Sequence, residues 1–367
     1  MSDIPVSQPD LQGAELKYAS EAIQSSWISS TGPFVDRFEA EFSSLCGTRS
    51  AISVANGTAA LHLALLTLDL EPGDEVIVPS LTYVATANAV RYTGAEPVFV
   101  DVDPKTWCLD PSRVEERIGP RTKGIIAVHL YGHPADMDAL SGLAKKHGLW
   151  LVEDAAEAHF ARYKGRPVGS LSDIAMFSFY GNKIITCGEG GALVLNDERL
   201  ERRARLLRGQ GMDPDRRYYF PIIGYNYRLT NVACAILCAQ LERREQIVAR
   251  RAEIFRQYTE RLRTVPGIGL QPVAEWAKPA QWLFCITVEP AFGRSRDELA
   301  GLLRESGIDT RPFFVPIHTL PPYAGGHALD LPVTDSLGAA GLNLPTYSEL
   351  KEVDIDRISS AIRSARG

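Results

Sequence analysis

The chain has 367 residues, of which 45% are hydrophobic and 23% charged, with a net charge of −6. This is the composition of an ordinary soluble globular protein, long enough that two lobes are expected rather than one core. The acidic balance and the lack of a long basic run exclude nucleic acid as an expected partner, and no apolar run is long enough to cross a bilayer.

The start, MSDIPVSQPDLQG, is polar and acidic and reads as neither a signal peptide nor a membrane anchor. The 6 cysteines form no CxxC pair and no Cys/His set at zinc spacing, so no metal is expected and a reducing cytoplasm suits the chain. Between residues 50 and 195, apolar runs alternate with helical patterns. The runs are AISV (51–54), EVIVPS (75–80), PVFVDV (97–102), GIIAVHL (124–130), LWLVED (149–154), IAMFSF (174–179) and GALVLN (191–196). Near-continuous apolar strands joined by helices predict an α/β fold with a mainly parallel sheet covered on both faces, and ligands in such sheets bind beyond the strands' carboxyl ends. The basic cluster RRARLLRGQG starts as helix. Residues 230–262 then read as one long helix, apolar in its first half and charged in its second. The remainder mixes a strand at 284–289 with helices at 295–306 and 353–365, a smaller α+β lobe. The expected division is a large domain over 1–245 and a small one over 246–367.

Four stretches could carry chemistry. In ISVANGTAALHLALL a strand runs through Asn-Gly-Thr into an apolar helix, where free N–H groups and the helix dipole suit a phosphate; Asn56 as a plain helix cap explains the same residues. In PSLTYVATANAV, Tyr83 follows a strand end and either packs in the core or stacks on a flat ligand. In VEDAAEAHF, Asp154 ends an apolar strand, where a carboxylate either caps a helix or needs a cationic partner, and Glu157 lies one turn on. In SFYGNKIITCGEGG a single lysine, Lys183, sits among Ser, Asn, Thr and Gly just past a buried strand. A phosphate cradle, a planar-ring stacker, a buried carboxylate and a lone amine together are what pyridoxal phosphate requires.

With these motifs the chain resembles the DegT/DnrJ/EryC1/StrS sugar aminotransferases, on the aspartate aminotransferase (type I) fold. The resemblance runs from WISSTGPFVDRFE (27–39) to RPFFVPIHTLPPY (311–323). It implies that Lys183 is the Schiff-base lysine and that Asp154, 183 − 154 = 29 residues earlier, pairs with the pyridine nitrogen. It further implies that Gly57, Thr58 and Ser178 hold the phosphate, that Tyr83 stacks on the ring, and that Glu157 lies near the ring hydroxyl. Asn226, in GYNYRLTN, matches the asparagine that reaches the phosphate of a neighbouring subunit, which implies a homodimer with shared active sites. Arg228 either holds that loop or meets substrate phosphate, while Arg311 and His318 fall in a stretch the family uses near the substrate. The chain departs from the pattern twice, with Phe160 where a glycine follows the motif histidine and Cys187 where a threonine precedes GEGG. Related dehydratases carry histidine in place of the lysine, so Lys183 favours transamination.

The implied amino donor is L-glutamate and the acceptor a nucleotide-linked keto-sugar. The stretch RGQGMDPDRRYYFPIIGYNYR (208–228) is similar to that of members aminating C4 of GDP-4-keto-6-deoxy-D-mannose. Acceptors linked to dTDP or UDP, amination at C3, and a non-catalytic cofactor-binding regulator are the alternatives. Arg216 and Arg217 suit a nucleotide diphosphate, or form a solvated loop. A dinucleotide-binding dehydrogenase would need GxGxxG after an early strand, and the chain has none.

Overall fold

In the computed structural model, which describes residues 3–325 and 329–367, all the apolar runs between 50 and 195 enter one sheet. Its strands are β1 (Ser50–Val54), β2 (Glu75–Pro79), β3 (Glu96–Val100), β4 (Thr122–Val128), β5 (Trp150–Asp154), β8 (Ile174–Ser178) and β9 (Gly191–Leu195), in the order β1-β9-β8-β5-β4-β2-β3. Only β9 runs against its neighbours. The short strands β6 (Arg162–Tyr163), β7 (Arg166–Pro167) and β11 (Ala277–Lys278) form a separate small sheet. A third sheet, in the order β10-β12-β14-β13, joins β10 (Ile268–Leu270), β12 (Phe284–Val288), β13 (Arg311–Pro312) and β14 (Gly341–Leu344).

The helices are α1 (Glu15–Gln24), α2 (Pro33–Cys46), α3 (Gly57–Thr67), α4 (Ala85–Tyr92), α5 (Pro111–Val114), α6 (Met137–His147), α7 (Glu198–Arg208), α8 (Asn231–Glu242), α9 (Arg244–Leu262), α10 (Arg296–Glu305), α11 (Pro332–Ala340) and α12 (Glu352–Ser364). They explain why the central strands lack polar alternation. Ile77, Ile125, Ala127 and Leu151 point to one core with Phe38 and Phe42 of α2 and Leu140 of α6. Their neighbours Val76, Val78, Ile126 and Val152 point to the other, with Leu61 and Leu65 of α3 and Val90 of α4. Both faces are therefore dry, and each buried Val, Ile or Leu contributes about 1.5–3 kcal/mol. A third core packs β12 and β14 against α9, α10 and α12 through Phe284, Ile286, Ile254, Leu299 and Ile358.

The expectation of one helix over 230–262 is corrected. The helix breaks at Arg243, whose backbone (φ −97°, ψ 3°) closes α8 and opens α9. Its guanidinium donates to the buried Asp10 carboxylate at 2.6 Å, so an ion pair to the N-terminal segment fixes the bend. No described helix is long and apolar enough to cross a membrane.

Candidate active site

The sheet topology brings the carboxyl ends of β1, β4, β5 and β8 to the same side, where they open on a cavity of about 840 Å³. β1 turns through Asn56, whose side chain caps α3 by accepting from the Ala59 N–H at 2.8 Å. The capping reading of Asn56 thus holds, and it leaves the remaining N–H groups of the first turn facing the cavity. Gly57 sits against Ser178 so closely that a Cβ there would lie 2.8 Å from Ser178 Cβ and 3.0 Å from its hydroxyl. Only glycine keeps that gap open between the helix N-terminus and the serine. Thr58 lines the same end of the cavity.

β5 ends on Asp154, 7% exposed. Thr86 Oγ1 donates to one carboxylate oxygen at 2.8 Å and the Ala156 N–H to the other at 3.2 Å. Burial raises its pKa, against the pull of Thr86, Ala156 and the Lys183 charge. Glu157, one turn on, accepts from the Tyr131 N–H at 2.7 Å. Burial lifts its carboxyl to about 7, with the Lys183 charge opposing. Tyr131 presents that N–H from a left-handed backbone, φ 51°, a conformation costly for a non-glycine residue and concentrated at functional sites.

Lys183 stands in the loop after β8, its amine 4.0 Å from the centre of the Trp282 ring. Burial lowers its pKa; Glu157 and Asp154 push it back up, and the charge of Arg311 lowers it further. The structure thus gathers one amine, two buried carboxylates and a helix N-terminus. Among nearby groups His159 does not join the chemistry. It packs against Phe177 and Phe179, neither ring nitrogen makes a close hydrogen bond, and burial drives its pKa to about 3, which the nearby Ser178 backbone only partly opposes.

Tyr83 is 59% exposed, its ring 5.7 Å from that of Phe314, and both it and Arg311 line the cavity. Asn226 is exposed and lies outside the cavity of its own chain, accepting from Arg228 Nε at 3.1 Å. Arg216 is exposed too, with its guanidinium 4.3 Å from the centre of the Tyr219 ring. His318 lies against Ser80 Oγ at 2.8 Å and Asp335 at 3.4 Å, and does not line the cavity.

Thr86, Tyr131 and Trp282 join the site without having been read from the sequence. Thr86 had a signal, a polar residue on the buried face of α4; Trp282 had none.

The side chains present fit pyridoxal phosphate. The Gly57 gap that a Cβ would fill lies at a helix N-terminus, the kind of place that suits a phosphate. Asp154 keeps lone pairs beyond its two donors for a ring N–H.

Comparison with known proteins agrees. The chain is 48% identical over 366 residues to GDP-perosamine synthase of Caulobacter vibrioides, covering 99% of each chain. It is 43% identical over 362 residues to that of Escherichia coli O157:H7, covering 99% of this chain and 98% of the other. The crystal structure of S. venezuelae DesV superposes with a TM-score of 0.93 at 40% identity over the whole of both chains. Residues 9–363 match the DegT/DnrJ/EryC1/StrS aminotransferase family model. With its amine, acids and phosphate cradle in one cavity, the chain belongs to that family and is a pyridoxal phosphate-dependent sugar aminotransferase.

Proposed function

We propose that the protein moves the amino group of L-glutamate to C4 of GDP-4-keto-6-deoxy-D-mannose, giving GDP-perosamine. The observation that carries the chemistry is that the Lys183 amine, Asp154, Glu157 and the N-terminus of α3 line one cavity. The nucleotide and sugar rest on the relatives named GDP-perosamine synthase.

Bound pyridoxal phosphate supplies an electron sink that weakens a C–H bond next to nitrogen. The chain does the rest. Gly57 and Thr58 N–H groups with the Ser178 hydroxyl bind the phosphate, and Tyr83 covers one face of the ring from the mouth. Asp154, as a carboxylate, holds a proton on the ring nitrogen; Glu157, holding its own proton near neutral pH, donates toward the ring hydroxyl. Lys183 Nζ would carry the proton from the donor's α-carbon to the cofactor's C4′, and in the opposite direction for the acceptor. Its lowered pKa makes the amine neutral, hence basic, more often than an exposed lysine. Arg311 meets the donor carboxylate. Two half-reactions through one site give ping-pong kinetics. Asn226 is exposed and does not line its own cavity, so we place it at the phosphate of a second copy, with Arg228 orienting it and Arg216 toward the diphosphate. His318 is assigned no substrate role.

The test is the visible spectrum of the purified protein with and without L-glutamate, alongside K183A. A band that glutamate bleaches, absent from K183A, supports the chemistry; no band with added cofactor sinks it. Turnover of a panel of GDP-, dTDP- and UDP-linked keto-sugars then decides the acceptor, and preference for dTDP or UDP overturns the GDP assignment.

A further inference from the structure

We infer that Trp282 is a positioning residue for Lys183, its indole face being the surface on which the protonated amine rests whenever the lysine is not bonded to the cofactor. The inference rests on the catalytic reading of Lys183.

The residue is held at three points, two of them on the ring. Its Nε1–H donates at 2.8 Å to the carbonyl of Asn182, the residue before the lysine, so ring and amine share one anchor. Its own carbonyl accepts from Arg251 at 2.8 Å, and the same Arg251 nitrogen reaches the carbonyls of Gln281 at 3.2 Å and Thr346 at 3.4 Å. Its inner neighbour is Tyr131, stacked at 6.2 Å and 20°. Trp282 is 3% exposed and Arg251 also 3%, so neither is free to swing. An immobile indole with its face 4.0 Å from an ammonium is a built contact.

Its chemistry suits a lysine that must give its proton away. The indole attracts a cation through its ring quadrupole, more strongly than other aromatics. Its only polar atom is a donor, already used on Asn182, so it cannot accept the proton. The carboxylates differ: Asp154 and Glu157 both face Lys183 and both can take a proton. Trp282 therefore holds the charged amine without competing for the proton, and the attraction fades once the amine is neutral and leaves. The other charges facing the amine are Arg311, and His159, which burial keeps neutral.

The test measures the amine itself. Full-length enzyme charged with pyridoxamine phosphate is treated with cyanate across a pH series, and carbamylation of each lysine is followed by mass spectrometry. Cyanate reacts with neutral amines, so the midpoint of the Lys183 profile is its pKa. In W282L the midpoint falls by about one pH unit, making Lys183 about tenfold more reactive below both midpoints, and W282F lies between. The exposed Lys17 and Lys164 stay unchanged as internal controls. A gap opened by the substitution would speed labelling at every pH without moving the midpoint. Coincident midpoints in the wild type, W282F and W282L overturn the inference; where W282L does not accumulate, W282F alone decides. A K183A protein that still transaminates instead overturns the catalytic reading, a result the midpoints do not affect.

Discussion

Two adjacent carboxylates of β5, Glu153 and Asp154, are buried on opposite faces of one strand and are treated in opposite ways. Glu153 is saturated. It faces His129 Nε2 at 3.0 Å and accepts from the N–H groups of Gly169 and Leu171 and the hydroxyl of Ser172, each at 2.9 Å. His129 Nδ1 accepts from the Ala135 N–H at 3.0 Å, so Nε2 carries a hydrogen and donates to Glu153. Asp154 has only Thr86 and the Ala156 N–H, and its other side is open to the cavity. A carboxylate with every lone pair engaged is structure. One buried at the same depth with capacity left over, and its pKa raised by burial, is waiting for a cation.

The sharpest way to break that comparison is to neutralise each acid in turn. D154N keeps the shape and removes the charge proposed to hold a ring proton, so turnover falls by about 10³-fold, in the range for losing one preorganised electrostatic contact. The melting temperature of the cofactor-free protein does not fall with it, because a buried carboxylate short of donors is replaced by a neutral amide. E153Q does the reverse. Its amide turns an NH2 toward groups that already donate, leaves buried polar groups unpaired and costs about 3 kcal/mol of stability, read from denaturant unfolding. Turnover per folded molecule changes far less than in D154N. Equal activity losses in the two variants would erase the distinction.

That distinction was only half legible in the sequence. The strand ending in VED was plain, because both its faces are dry and its apolar run is continuous. Asp154 stood out as a carboxylate ending that strand, and the family resemblance matched its interval to Lys183. Glu153 did not, since its partners His129, Gly169, Leu171 and Ser172 come from other segments that the strand order alone brings together. Trp282 reaches Lys183 from 99 positions away, 282 − 183, for the same reason. The helix break at Arg243 was hidden differently. An arginine in a run of charged helix formers carries no breaker signal, and its cause, Asp10, lies at the other end of the chain.

A pH series sharpens the contrast on the cavity side. Glu157 has its folded pKa raised from 4.5 to about 7 by burial. The folded cofactor-free protein thus holds a proton that the unfolded chain has lost between those values, and this group's contribution to stability falls as pH rises through that window. His159 has its folded pKa lowered from 6.5 to about 3 by burial. The unfolded chain binds the extra proton there, so its contribution rises with pH and is lost as pH falls below 6.5. Between pH 4.5 and 6.5 the two oppose each other. One proton is worth about 1.4 kcal/mol per pH unit. E157Q therefore makes stability climb more steeply with pH in that window than in the wild type, and H159N makes it fall. Unchanged slopes in both variants would mean that neither group is held in its uncharged form.

The smallest effect tests the hinge between the two acids. The chain leaves Asp154 through the turn at Phe160 and returns along β6 and β7 to Gly169 and Leu171, which close over Glu153. Phe160 has φ 65°, a left-handed backbone that favours glycine, and this is the position where the family pattern carries glycine. The half-buried ring packs on the core and hides the strain behind its own contacts. Comparing F160G with F160A removes those contacts from both variants and leaves the backbone. F160G is then more stable than F160A by about 1 kcal/mol, the cost of a left-handed conformation for a residue with a Cβ, read as a difference in unfolding midpoint at equal slope. An F160A as stable as F160G would mean that the turn relaxes out of the left-handed region once the ring is gone. The loop that saturates Glu153 would then be held by its own three hydrogen bonds rather than by the hinge.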